Sequence, residues 1–218
     1  PASLGLPVES VDMIEVDVGG GFGVRGEFYP EDFLVPFSAR ALGRPVKWVE
    51  DRLENLLGSN HSRQMECELE IVCERNGRIL ALRGEVHIDS GAYMRSSGAT
   101  PVRNVGQFMS GPYDIEHIHI ETSPHLTNKG PVGTYRGPGR FEADYFRERL
   151  VEIAASELGI DPVEFPRINL VRPEQMPYPL ATLDKPVKPE DLDSGDYERA
   201  LDECLEGFGW KEKLALQG

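Results

Sequence analysis

A glycine-rich loop is the feature that most constrains this chain. Residues 19–26 read Gly-Gly-Gly-Phe-Gly-Val-Arg-Gly, directly after an apolar alternation that predicts a strand over Ile14–Val18. Glycine has no Cβ, so such a loop can adopt unusual φ values and bring backbone N–H groups against a ligand. Phe22 stands at the apex, where turn geometry does not require an aromatic residue. The loop is therefore predicted to approach a bulky group, with a plain glycine turn as the alternative.

A second loop of the same style, Thr134–Arg140, reads Thr-Tyr-Arg-Gly-Pro-Gly-Arg. The guanidinium fork of Arg136 suits a phosphate or another anionic oxygen, although a surface ion pair explains it equally well. We expect the two loops to converge on one large, polar, phosphorylated cofactor. The residues expected to bind it are Gly20, Gly21, Phe22, Gly23, Arg136 and Gly137.

The composition describes a globular chain and argues against several partners. The 218 residues are 39% apolar and 28% charged, and the formal net charge of −14 disfavours nucleic acid. No apolar run approaches the roughly 20 residues of a bilayer span, and the start lacks a signal peptide, so we expect a cytoplasmic protein without a membrane partner. Cys67, Cys73 and Cys204 have no Cys-x-x-Cys spacing and are predicted to be plain thiols, the first two on one strand face.

Local signals predict an α+β fold with mixed or antiparallel strands and packed helices. Asn76-Gly77 joins two alternating runs and predicts a hairpin of Met65–Glu74 with Ile79–Ile88. Further strands are predicted at Val46–Glu50 and Ile115–Thr122. The predicted helices run from Pro30 to Gly43, over Phe141–Leu158, from Asp161-Pro162 onwards, and over Tyr197–Glu206.

Prolines mark a boundary near the end of the chain. Residues 172–193 hold five prolines and few apolar residues, which predicts a surface excursion or linker. It would separate residues 1–171 from a helical segment at residues 194–218. That segment stops unfinished, and the chain starts at Pro1, so we expect a fragment of something longer.

Two other chemistries compete with the cofactor loop. Residues 21–26 fit the G-x-G-x-x-G fingerprint of a Rossmann-like, NAD-binding oxidoreductase, but Pro30 starts the next helix too late for it. His117 and His119 share one strand face and could bind a metal. No third ligand has a suitable spacing, so a solvated or packed strand face is favoured and no metal site is assigned.

A series of short motifs runs along most of the chain. They are Asp-Val-Gly-Gly-Gly-Phe-Gly at 17–23, Gly-Arg-Pro-Val-Lys-Trp at 43–48, Asp51-Arg52, Asp-Ser-Gly-Ala-Tyr at 89–93, Gly111-Pro112-Tyr113, Thr-Asn-Lys-Gly-Pro at 127–131, Tyr-Arg-Gly-Pro-Gly at 135–139, and the helix from Asp161-Pro162 to Asn169. In this order and spacing, the motifs resemble the large, molybdopterin-binding subunit of the xanthine dehydrogenase, aldehyde oxidase and carbon monoxide dehydrogenase family. The resemblance extends from Gly5 to about Tyr178.

The resemblance implies that residues 1–171 are part of the cofactor-binding domain of a molybdenum hydroxylase. Water would supply the oxygen placed on a C–H substrate, and electrons would leave through iron–sulfur and flavin partners. The implied cofactor is molybdopterin with molybdenum, in the cytosine dinucleotide form usual in bacterial relatives. Phe22 and the adjoining glycine backbone would approach the oxygen ligands of the molybdenum, Arg136 would lie beside the active site, and Pro138 would face the substrate pocket.

Two departures from the family pattern bear on function. The loop at residues 136–140 lacks the cysteine of the carbon monoxide-oxidising members, so a copper–molybdenum site is not expected. The family's C-terminal glutamate base has no match, so no catalytic residue is assigned, and nearness to the glycines does not give Glu27 that role. The fragment alone is expected to be inactive and to need the rest of the large subunit. A non-catalytic interaction module on the same scaffold is the remaining alternative.

Overall fold

The computed structural model describes residues 1–180 and 191–216, and the chain divides into two units. The loop unit comprises Pro1–Ser62, Ser90–Thr100 and Leu126–Gly137, and the sheet unit comprises Arg63–Asp89, Pro101–His125 and Pro138–Gly218. The helices are α1 (Pro30–Leu42), α2 (Arg52–Gly58), α3 (Ala99–Gln107), α4 (Arg140–Leu158), α5 (Glu164–Asn169), α6 (Tyr197–Phe208) and α7 (Trp210–Leu214). The strands are β1 (Met65–Cys73), β2 (Ile79–Asp89), β3 (His117–His125), β4 (Tyr178–Pro179) and β5 (Asp191–Leu192).

A three-stranded mixed sheet is the frame of the sheet unit. β1 and β2 pair antiparallel, and β3 lies parallel to β2 on its other edge. The Asn76-Gly77 turn joins β1 to β2, with the Arg78 N–H donating to Asn76 Oδ1 at 2.9 Å. The predicted α+β class and the predicted hairpin are therefore confirmed.

The core of the sheet unit lies between the sheet and the helices. Leu82, Val86 and Ile88 of β2 are fully buried, together with Phe165 of α5. β1 alternates half-buried and exposed residues, which places Cys67 and Cys73 on one half-buried face. The predicted common face is confirmed, and burial raises the pKa of both thiols.

Helix boundaries follow their local capping signals. α1 begins at Pro30 and ends before Gly43, which has a left-handed φ of 65°. α4 ends before Gly159 in the same way, and both helices agree with the prediction. Asp161 Oδ1 accepts the Val163 N–H at 2.8 Å, although α5 itself starts at Glu164. α6 begins at Tyr197, as predicted, and extends to Phe208.

The strands predicted at Ile14–Val18 and Val46–Glu50 are wrong, since both segments are irregular. A strand needs a hydrogen-bonding neighbour, and no described strand of the loop unit offers one. The apolar side chains of the first segment are exposed, Met13 by 92% and Ile14 by 85%. Alternating residues therefore do not form a strand here, because nothing pairs with their backbone.

The proline-rich segment falls only partly on the described chain. Its first part contains a single 3₁₀ turn at Pro173–Gln175, and β4 pairs with β5. Residues 181–190 of the excursion predicted at 172–193 lie outside the described residues. The predicted domain boundaries after residues 171 and 193 stay predictions. None of the helices that the structure describes has the length and hydropathy of a membrane span.

Candidate functional site

The glycine loop, residues 19–26, has a conformation that its sequence makes possible. Phe22 adopts a φ of +51°, which non-glycine residues rarely do, and its side chain is 56% exposed. Gly20 has a φ of +118°, and a Cβ there would lie 2.7 Å from the Phe22 ring. The ring thus lies against bare backbone, and a side chain at position 20 would meet the ring in this position and strain the backbone at its positive φ.

The glycine loop meets the arginine loop, residues 134–137, through backbone contacts. The Arg136 N–H donates to the Phe22 carbonyl oxygen at 2.9 Å. A Cβ at Gly23 would lie 2.6 Å from the Thr134 Cγ2 atom, so only glycine permits this approach. The two loops therefore meet, as predicted, in the loop unit that holds Gly20, Gly21, Phe22, Gly23, Arg136 and Gly137, and the binding of a cofactor by these residues stays a prediction.

A cavity of about 570 Å³ lies against the glycine loop. Gly20, Gly21 and Phe22 line it together with Tyr135 of the arginine loop. Further lining residues come from the segment around α2 and from residues 58–62. Asn60 is among them, 6% exposed, and neither polar atom of its side-chain amide has a hydrogen-bond partner among the described residues. The cavity wall therefore offers bare backbone, aromatic rings and an unsatisfied amide.

Glu27 is a buried carboxylate at the end of the glycine loop. Ser96 Oγ donates to its Oε2 at 2.7 Å, the Ser97 N–H donates to its Oε1 at 2.8 Å, and Ser97 Oγ also donates to Oε1. The Arg95 Nε lies 3.8 Å from Oε2. Burial raises the pKa of Glu27, but the hydrogen bonds and Arg95 outweigh it, so the pKa lies below its ordinary 4.5. Glu27 is thus a charged, fully partnered group.

Tyr29 links the glycine loop to the cavity wall. Its hydroxyl donates to the Val24 carbonyl at 2.8 Å and accepts the Asn60 N–H at 3.3 Å. Sequence reasoning selected neither Tyr29 nor Asn60, and it did not find the partners of Glu27. The contacts of Tyr29 with Asn60 and of Glu27 with Ser96 and Ser97 join residues that are 31, 69 and 70 positions apart, so no local motif marks them.

Pro138 belongs to the sheet unit, unlike the other predicted site residues. Its carbonyl accepts Asn104 Nδ2 of α3 at 2.9 Å. A Cβ at Gly139 would lie 2.5 Å from the Pro101 carbonyl, so this turn packs closely on α3. The contacts of Pro138 explain its conformation, and its role toward a substrate stays a prediction.

The two competing sites lack their structural context. A Rossmann loop leads from a strand into a helix, whereas the glycine loop follows an irregular segment and leads into a single 3₁₀ turn at Val24–Gly26. His117 and His119 are exposed on β3, with His119 Nε2 3.2 Å from a carboxylate oxygen of Glu121. Within residues 1–180 and 191–216, no three His, Cys, Asp or Glu side chains group as metal ligands would.

Sequence comparison relates the chain to molybdenum enzymes. The family described as "Molybdopterin cofactor-binding domain" matches residues 2–170. The chain is 37% identical over 211 residues to the 6-hydroxypseudooxynicotine dehydrogenase complex subunit gamma of Paenarthrobacter nicotinovorans, covering 97% of the chain and 26% of that protein. It is 36% identical over 219 residues to the carbon monoxide dehydrogenase large chain of Hydrogenophaga pseudoflava, covering 98% and 26%.

Solved structures give the same relationship. Carbon monoxide dehydrogenase from Oligotropha carboxidovorans matches with a TM-score of 0.87 and 33% identity, over 98% of this chain and 26% of that one. Quinoline 2-oxidoreductase from Pseudomonas putida 86 matches with a TM-score of 0.79 and 35% identity, over 92% and 25%. The chain thus spans about a quarter of the length of these relatives.

Proposed function

Because the chain belongs to the molybdopterin-binding large subunits of the molybdenum hydroxylase family, we propose that its glycine and arginine loops together hold the molybdopterin cofactor. One observation carries the proposal. Two loops that are remote in sequence are joined by the hydrogen bond from the Arg136 N–H to the carbonyl of Phe22, and Phe22 lines a cavity together with Gly20 and Gly21. Plain glycine turns would have no reason to meet in this way.

The groups present fit the chemistry of this cofactor. Gly20 and Gly23 let the loop pack on the Phe22 ring and on Thr134, and Gly21, where a Cβ would meet nothing closer than 3.9 Å, presents bare backbone to the cavity. The exposed Phe22 ring offers an apolar face, and the Arg136 guanidinium suits anionic oxygens. The unsatisfied amide of Asn60 adds a donor and an acceptor at the cavity wall. In this proposal, Gly20, Gly21, Phe22, Gly23, Arg136 and Gly137 contact the cofactor, and Pro138 faces the substrate.

The bound cofactor would supply the redox chemistry, oxidising a C–H substrate with oxygen taken from water. The residues of this chain bind and orient it, and the backbone amides and Arg136 fix negative charge in place. No residue of this chain is proposed as the general base. The base would lie in the remainder of the large subunit, and iron–sulfur and flavin partners would receive the electrons.

Several finer features belong to this proposal as well. The cofactor would carry a cytosine dinucleotide, and the enzyme would act in the cytoplasm. The relatives include subunits of enzyme complexes, such as the gamma subunit named above, which supports an assembly with other subunits. Neither alternative, a Rossmann-like dehydrogenase or a module without chemistry, has an observation that favours it.

The decisive experiment is a cofactor measurement on the native complex. The full-length large subunit would be purified with whatever co-purifies, and its molybdenum would be measured by mass spectrometry beside released pterin fluorescence. We expect close to one molybdenum and one pterin per large subunit. Neither signal in a complex that contains the remainder of the subunit would contradict the proposal and favour a scaffold without chemistry.

A further inference from the structure

Glu27 lies where it can control the geometry of the proposed site without touching a ligand. Its carboxylate is 1% exposed, and it is not among the residues that line the described cavity. We infer that Glu27 is a positioning residue that holds the arginine loop against the glycine loop through Ser97. The inference rests on the proposed function, because the positioned loops are those assigned to the cofactor.

The connection consists of three consecutive contacts within the loop unit. Glu27 continues directly from the glycine loop and accepts hydrogen bonds from both the N–H and the Oγ of Ser97. The same Ser97 Oγ accepts the N–H of Thr134 at 3.0 Å. Thr134 in turn packs against the Cα of Gly23. The Glu27 carboxylate thereby connects the end of the glycine loop to the start of the arginine loop.

The direction of the hydrogen bonds explains why an acid is needed. Ser97 Oγ must accept the Thr134 N–H, so its own proton has to point at another acceptor. An ionised carboxylate only accepts, and it therefore fixes the orientation of the Ser97 hydroxyl. Arg95 balances the buried negative charge, since its Nε lies 3.8 Å from the carboxylate. The Arg95 guanidinium also stacks over the Tyr29 ring, 4.4 Å from the ring centroid.

Ser96 offers a matched control for this connection. It also donates to the Glu27 carboxylate, at 2.7 Å, but no hydrogen bond is described from it to the arginine loop. Ser96→Ala and Ser97→Ala each remove one side-chain donor to Glu27, and only the second also removes the acceptor for Thr134. A difference between these variants therefore reports the connection rather than the loss of a serine hydroxyl.

The test uses the complex of the full-length large subunit as wild type, Glu27→Gln, Ser97→Ala and Ser96→Ala. Amide hydrogen exchange of peptides covering residues 131–137 is measured on complexes from molybdate-starved cells, so that ligand protection is absent. We expect about tenfold faster exchange in Ser97→Ala and Glu27→Gln, and less than twofold change in Ser96→Ala. Molybdenum per subunit from molybdate-replete cells should fall by at least half in the first two variants only.

The outcomes separate this inference from the proposed function. If the peptides covering residues 131–137 exchange at the wild-type rate in Ser97→Ala and Glu27→Gln, and the wild type contains normal molybdenum, the inference about Glu27 is overturned and the proposed function stands. Faster exchange with undiminished molybdenum would also overturn it, because the loops would then be coupled without serving the cofactor. A wild-type complex without molybdenum or pterin would overturn the proposed function and the role of Glu27 with it. If Glu27→Gln fails to fold, Ser97→Ala decides.

Discussion

Phe22 has a positive φ and an exposed aromatic ring, and neither property stabilises the fold. Its φ of +51° lies in the left-handed region, which costs a non-glycine residue roughly 1 kcal/mol. Its side chain is 56% exposed, so the ring gains little from burial. A residue that is both strained and exposed points to a role in binding rather than in stability.

The first residue-scale prediction concerns Phe22 and Arg136. Phe22→Ala and Arg136→Ala should each lower turnover about 100-fold in the native complex, as losing one preorganised contact to a reacting group does. The heat-induced unfolding temperature should change by no more than a few degrees, because neither side chain is buried. Turnover is measured with a substrate found by screening N-heterocycles, aldehydes and other activated C–H compounds against the wild-type complex, and bound molybdenum is measured alongside.

Phe28→Ala and Arg44→Ala are the matched controls, since both residues are exposed in the loop unit and belong to neither the glycine loop nor the arginine loop. They should leave turnover and molybdenum content within twofold of wild type. Normal rates in both Phe22→Ala and Arg136→Ala would show that the cofactor contacts are misassigned.

At the scale of elements, Asn169 clamps α5 to the β1–β2 turn. Its Oδ1 accepts the Ile79 N–H at 2.8 Å, and its Nδ2 donates to the carbonyls of Gly77 at 2.8 Å and Phe165 at 2.9 Å. The side chain is buried, so water cannot replace these bonds. One amide thus satisfies the turn and the end of the helix together.

Asn169→Ala should therefore destabilise the sheet unit by about 3 kcal/mol, because the buried Ile79 N–H and the Gly77 carbonyl lose the side-chain amide that pairs with them. The free energy of unfolding in urea measures the change. Asn128→Ala, at an exposed asparagine, should stay within about 0.5 kcal/mol of wild type. An equal loss in both variants would mean that the clamp contributes nothing specific.

Elements whose boundaries are set by neighbouring residues could be predicted from the sequence, and elements that depend on distant contacts could not. The hairpin at Asn76-Gly77 and the ends of α1 and α4 were predictable, because turn and capping residues act within a few positions. The strand at Ile14–Val18 was not, since a strand requires a pairing neighbour. α3 escaped prediction because Pro101 and Gly106 lie inside it. At the site, the convergence of the loops was predictable from their shared composition, whereas the contact between Glu27 and Ser97 spans 70 positions and leaves no local signal.

At the scale of the whole molecule, cofactor binding depends on how much of a large subunit this chain contains. It spans about a quarter of the length of its relatives, and it leaves apolar residues of the loop unit such as Met13, Ile14 and Val16 exposed. These residues directly precede the glycine loop in sequence, and within the described residues no other side chains bury them. A cofactor held by these loops alone would lack most of the contacts that a complete subunit provides.

The isolated 218-residue chain should accordingly hold less than a tenth of a molybdenum per chain after gel filtration, whereas the full-length subunit in its complex should hold close to one. The physical reason is preorganisation, since a binding surface that supplies only part of the contacts must itself be ordered when the ligand binds. Metal analysis of both preparations, expressed in the same molybdate-replete host, measures the difference. Circular dichroism controls for folding, because an unfolded chain would also be empty. A folded, isolated chain with stoichiometric molybdenum and pterin would show instead that these 218 residues suffice for tight binding, and it would locate every essential cofactor contact within them.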